Sequence, residues 1–255
     1  MPPSYEVFLL PITVVILLLI LAIPLIFIYL FLRLSETALE VVGLDHWQSS
    51  IAILGSVLFG FIDIPLNATP LYIYPDWFAS LSILFLKEVP AGFFPVYLAV
   101  NLGGCIIPLI ISAHIALKGR VSISKALIGV LLVAVITYNM AKAIPGEGIT
   151  VPFWLPPTLA AICGLLLARG FRKAAPLAYI SGTLGTLIGA DIMMILTPGV
   201  LAMLSPLRIQ IKPIVISIGG AGVFDGIFLT SIVSVFLAVG IAALISPPQI
   251  KTAEK

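Results

Sequence analysis

Charge is what this chain has least of. Only 9% of its 255 residues are Asp, Glu, Lys or Arg, where an ordinary soluble domain carries roughly 25%. So few charges cannot cover a globular surface, which excludes a soluble enzyme or binding module. The net charge of +2 is too small to build a nucleic-acid surface. Histidine and cysteine are scarce too, with two of each. Cys105 and Cys163 lie inside apolar runs and read as small hydrophobes, not as a disulfide framework. His46 and His114 stand far apart and unaccompanied in sequence, so no Cys/His set has metal-ligand spacing. No metal and no cofactor are expected.

What is abundant is apolar: 61% of the residues are hydrophobic. The composition implies an all-α polytopic membrane protein, a single integral membrane domain over 1–255. A helix needs about 20 apolar residues to cross the hydrocarbon core. About seven transmembrane helices are predicted, at 7–32, 47–66, 91–117, 124–141, 152–168, 175–196 and 222–246. The first run, Val7 to Leu32, carries no charge and exceeds the roughly 7–15 residues of a signal h-region, so it reads as a spanning helix. Pro11 and Pro24 are candidate kinks within it. The stretch 36–46, polar on one face, is expected to start the second helix outside the core. Segment 67–90 is aromatic and proline-punctuated, and suits an interfacial loop or re-entrant piece, with 79–87 as a candidate short helix.

Seven spans put Arg33, Lys118, Arg120, Lys125, Arg169, Arg172, Lys173, Lys251 and Lys255 on one side, against Lys87, Lys142, Arg208 and Lys212 on the other. The basic side faces the cytoplasm, which places the N-terminus outside and the C-terminus in the cytoplasm of a multi-pass cell-membrane protein. No convincing internal repeat is visible.

Two carboxylates fall inside the apolar runs. Asp191 lies late in span six, in "GTLGTLIGADIMMIL", and Asp225 lies early in span seven, in "SIGGAGVFDGIF". Intramembrane acids cost around 2.5–3.5 kcal/mol on insertion scales and are functional by default. The predicted topology sets both at similar depth on antiparallel, consecutive helices, so a facing pair is expected. Gly182, Gly185 and Gly189 form a small-residue stripe that lets helices approach closely, and Gly189, two residues before Asp191, is also expected to border a substrate cavity. Gly219, Gly220, Gly222 and Gly226 flank Asp225 and would break the helix or leave room for a ligand. "RIQIKPIVI" alternates with β-branched residues, so a short strand or re-entrant element is expected around 208–221. Asn101 and Asn139 are candidates to line the same cavity, although a helix–helix hydrogen bond accounts for either. Asp63 reads as an interfacial carboxylate, and His114 as a residue near the cytoplasmic end of span three.

The segments "AYISGTLGTLIGAD" and "SIGGAGVFDGIFLT", with "NLGGCIIPL" and "IPGEGITVP" upstream, resemble an uncharacterised family of archaeal and bacterial multi-pass proteins over roughly 50–230. That resemblance implies no activity. More weakly, "GAGVFDG" is similar to the Gly-x-Gly-Asp motif of GxGD-type intramembrane aspartyl proteases, the presenilin and signal-peptide-peptidase group, with two residues inserted before Asp225. Ala190 precedes Asp191 where that group usually has Tyr, and its Pro-Ala-Leu helix has no counterpart here. The resemblance implies Asp191 and Asp225 as a catalytic dyad acting on a transmembrane peptide. The alternative is a proton- or cation-coupled transporter or channel using the same two acids as an ion site. Expected partners are therefore the lipid bilayer and either a peptide segment or a small ion, with no nucleic acid.

Overall fold

The computed structural model describes residues 6–69, 71–73, 94–144, 148–168, 170–204, 214–220 and 226–245. Helix α1 (Glu6–Val42) runs through Pro24 and on past the predicted end at 32. The polar stretch after 36 is therefore the last part of α1 and not the beginning of the next helix. Gly43 ends it: at φ +113° it adopts a conformation that disfavours side chains, and its amide and that of Leu44 both return to the Leu39 carbonyl. A Cβ at Gly43 would also collide with the Arg120 guanidinium. Helix α2 (His46–Phe59) follows, its start closed by the Asp45 amide donating to the Gln48 side chain at 3.2 Å.

The predicted spans 47–66 and 91–117 are corrected. After α2 the chain becomes extended, and strand β1 (Asp63–Pro65) is followed by β2 (Leu71–Ile73). Strand β3 (Phe94–Asn101) occupies the front of the run read as span three. The helical part there is a π-turn, π1 (Leu102–Ile106), leading into α3 (Ile107–Leu117). Val96, Tyr97 and Val100 suit a strand as well as a helix, and β3 finds partners on both edges. β1 and β2 pair antiparallel with it on one side, and β6 (Ile214–Ile218) pairs parallel with it. The expected element around 208–221 is this strand, and residues 205–213 lie outside the described residues. So do 74–93, including the candidate helix at 79–87.

Helix α4 (Ile123–Met140) matches the predicted fourth span. A hairpin of β4 (Lys142–Ile144) and β5 (Gly148–Thr150) leads to α5 (Leu155–Leu167), shorter than the predicted fifth span. The sixth span is continuous but mixed: α6 (Phe171–Thr186), the π-turn π2 (Leu187–Met193) and α7 (Met194–Leu196). The short α8 (Val200–Met203) follows, and α9 (Gly226–Ile245) is the seventh. Among the described residues, four helical stretches are long and apolar enough to cross a membrane: Ile12–Val42, Ile123–Met140, Arg172–Leu196 and Gly226–Ile245. The protein is thus a mostly helical membrane protein with a few short strands.

Helix α6 sits at the centre, packed by α4, α5 and α9. Its glycines permit this. A Cβ at Gly185 would strike Val133 of α4, and one at Gly182 would press on Ala160 of α5 and Ser234 of α9. The stripe read from the sequence therefore serves three neighbours. Thr183 and Ser231 hydroxyls, both buried, lie 2.6 Å apart across the α6–α9 contact. Ser35, Ala38, Leu39 and Val42 bury the last turns of α1 against this core.

Candidate functional site

Asp191 lies on π2. A π-turn closes i→i+5 hydrogen bonds and recurs at functional sites, because the extra residue re-aims the side chains that follow. The Asp191 Oδ2 accepts the Gly219 amide at 2.6 Å. Gly219 sits just past β6 at φ +72°, and a Cβ there would meet the Cys105 amide nitrogen of π1 at 2.8 Å. The tip of β6 is thus pressed between the two π-turns, with its amide satisfied by the half-buried Asp191 carboxylate. Gly189 brings π2 against α4, since a Cβ would strike the Ala134 backbone. Gly189, expected to border a substrate cavity, is not among the walls of the cavity beside Asp191 and makes this packing contact instead.

Beside Asp191 opens a cavity of about 1080 Å³. Asp191, Thr186, Ser217, Gly220 and Gly226 are among its walls, as are the apolar Phe153 and Trp154. Val215, Ile216 and Ser217 bring the β6 strand to the same cavity. Among the described residues β3 is the only strand paired with β6, and the opposite edge of β6 has no strand partner among them. A Cβ at Gly226 would meet open space. Asp225 and Gly222 lie outside the described residues.

The asparagines are not brought to this cavity. Asn101 is buried, and its amide nitrogen donates to the Gly60 carbonyl at 2.8 Å and to Asp63 Oδ1 at 3.0 Å. Its oxygen caps π1 by accepting the Gly104 amide at 2.8 Å. Asn139 is exposed and donates back to the Val135 carbonyl of its own helix at 2.7 Å. The neighbouring Tyr138 reaches inward instead, and its hydroxyl lies 2.9 Å from that of Thr197.

Sequence reading missed Ser217 and undervalued Asp63. The Ser217 hydroxyl donates to Asp63 Oδ1 at 2.5 Å, so Asp63 ties β1 to β6 across β3. The available signal was a lone serine among β-branched residues in "IVISI". His46 is accompanied after all, with its Nδ1 2.7 Å from Glu40 and 3.4 Å from Glu36. Glu36 also binds Arg33 at 3.0 Å and accepts the Ser50 hydroxyl. This is an ion-pair cluster joining α1 to α2.

Residues 57–237 match the model of a family described as "Protein of unknown function (DUF1614)". No curated protein matches the chain, and no solved structure does.

Proposed function

The chain belongs to the DUF1614 family of unknown function, and from the site itself we propose that it is an intramembrane aspartyl hydrolase with Asp191 and Asp225 as its acids. One observation carries this reading: Asp191 and the β6 residues Val215, Ile216 and Ser217 border the same cavity, and the β6 edge opposite β3 has no strand partner among the described residues. An extended peptide laid along β6 would gain main-chain hydrogen bonds from that edge and pass its carbonyl beside Asp191. A strand edge at membrane depth is tolerated where it meets protein or water, so the cavity suits both a peptide and the water that hydrolysis consumes. Gly226, the residue after Asp225, is on the cavity wall, which supports assigning Asp225 as the second acid.

Two close carboxyls share one proton. The ionised one takes a proton from water as its oxygen attacks the carbonyl carbon, and the protonated one gives its proton to the carbonyl oxygen. The resulting diol then collapses, breaking the C–N bond, with a proton passed to the departing amine. Asp191→Asn and Asp225→Asn should each abolish cleavage of a transmembrane-helix substrate in proteoliposomes, with melting temperature preserved. Cleavage retained by either variant would falsify the dyad.

A second reading, a proton- or cation-coupled transporter or channel using the same acids, draws on a different observation. β3 leads through Gly103–Gly104 into α3, and β6 leads through Gly219–Gly220 towards α9. The two strands pair in parallel, Val96 with Ile214 through Val100 with Ile218. Paired interrupted elements are also how ion sites are built. Ion flux into liposomes that stops in both Asp→Asn variants, without any peptide cleavage, would favour it. For either reading we place the protein in the cell membrane as a multi-pass protein, N-terminus outside. Cysteines introduced at Lys118 and Lys173 should then react with impermeant maleimide only after the cytoplasmic face is opened.

A further inference from the structure

The acid at the cavity is not held by its own helix alone. Asp191 is bonded to the Gly219 amide, and Gly219 is two residues beyond Ser217. Ser217 is bonded in turn to Asp63. Asp63 Oδ1 also accepts from Asn101, whose other contacts reach the Gly60 carbonyl and the Gly104 amide. A continuous set of polar contacts thus runs from the end of α2 through β1, β3 and π1 to the tip of β6, and from there to Asp191. Glycines close the packing around it. A Cβ at Gly103 would meet the Gly60 amide at 2.5 Å, and one at Gly220 would meet the Ser217 hydroxyl at 2.5 Å. Neither backbone can be replaced by a bulkier one without shifting the contact.

We infer that Asp63 is a positioning residue for Asp191, acting through Ser217 to fix the β6 tip whose Gly219 amide orients the Asp191 carboxylate. A hydrogen bond to an ionised acceptor is stronger than a neutral one. Asp63 supplies such an acceptor at the base of a glycine-rich turn that has few side chains of its own to hold it. Ser217 also lines the cavity, so the bond that fixes the tip also keeps its hydroxyl turned towards Asp63. Without it, the Ser217–Gly220 segment gains freedom, and the hydrogen bond that orients Asp191 lengthens or is lost. The edge of β6 and the acid would then no longer keep a fixed separation, which lowers turnover more than binding.

The inference rests on the hydrolase reading for its kinetic consequence, but its structural core is tested without catalysis. The probe is the infrared carboxyl band of Asp191 in protein labelled with carboxyl-13C aspartate, assigned by its loss in Asp191→Asn. Ser217→Ala, a small change, and Asp63→Ala should each shift that band, and the double variant should shift it no further. Ser217→Thr keeps the hydroxyl and should restore the band. Where cleavage is measurable, Ser217→Ala should lower kcat roughly tenfold to a hundredfold, the range expected when a charge-assisted hydrogen bond is lost, with KM nearly unchanged. A band that stays in place in folded Ser217→Ala protein overturns the inference, whether or not peptide is cleaved. A shifted band in a protein whose wild type cleaves nothing supports the positioning role and overturns the hydrolase reading instead. If Asp63→Ala does not fold, the Ala and Thr variants at Ser217 decide the matter.

Discussion

At Gly219 two demands meet on one residue. Its φ of +72° favours glycine, and a Cβ would press on Cys105, while its amide serves Asp191. Gly219→Ala should therefore lose more than about 1 kcal/mol of stability, read as a lower melting temperature in detergent, and should disturb the Asp191 band as the Ser217 variants do. At this scale the sequence was partly legible. Asp191 stood out because a carboxylate late in an apolar run has no cheap explanation. Asp63 did not stand out, since an acid at the interfacial end of an apolar run is ordinary. Its partner Ser217 is 154 residues away, and only the β3–β6 pairing brings them together. The asparagines misled for a related reason: residue type says that an amide will find partners, not which ones. The pairing expected of Asp191 with Asp225 depends on Asp225, which lies outside the described residues.

Among the elements, α4, the α6–α7 stretch and α9 were readable because long apolar runs without a central break favour a helix over any other span. β3 was not. An apolar run rich in β-branched and aromatic residues fits a buried strand as well as a helix, and the deciding partner, β6, is remote in the chain. The packing of α6 gives two expectations. Gly189→Val should overpack the contact of π2 with the Ala134 backbone, costing about 1–3 kcal/mol and moving Asp191 with it. Loss of activity larger than the loss of stability is the outcome to look for. Thr183→Val and Ser231→Ala remove the same hydroxyl contact across α6 and α9. Each should cost about 0.6 kcal/mol, the usual worth of such a bond in a membrane protein, and the double variant should cost little more than one. Additive losses in a thermal-melt cycle would show that the two hydroxyls work separately.

The whole molecule divides unevenly along α1. That helix has 37 residues, about 55 Å at 1.5 Å per residue, against a hydrocarbon core of about 30 Å. None of its most apolar window is buried within the protein, whereas its last turns, around Leu39, belong to the core. A spin label at Leu21 should accordingly report lipid-soluble oxygen, and one at Leu39 should not; equal accessibility would contradict this division. The parallel pairing of β3 with β6 has a consequence for synthesis as well as for the finished protein. β3 emerges from the ribosome long before β6, and α3 through α8 must be made in between. Until then one edge of β3 lacks the strand that pairs with it in the finished fold, the kind of edge that invites wrong pairing. The second half of the chain therefore completes a sheet that the first half must keep open, and the site at Asp191 forms as a late event of assembly. Chains released after α8 should be held by insertion factors or removed by quality-control proteases rather than accumulate, so the fold makes complete translation a condition for an assembled site.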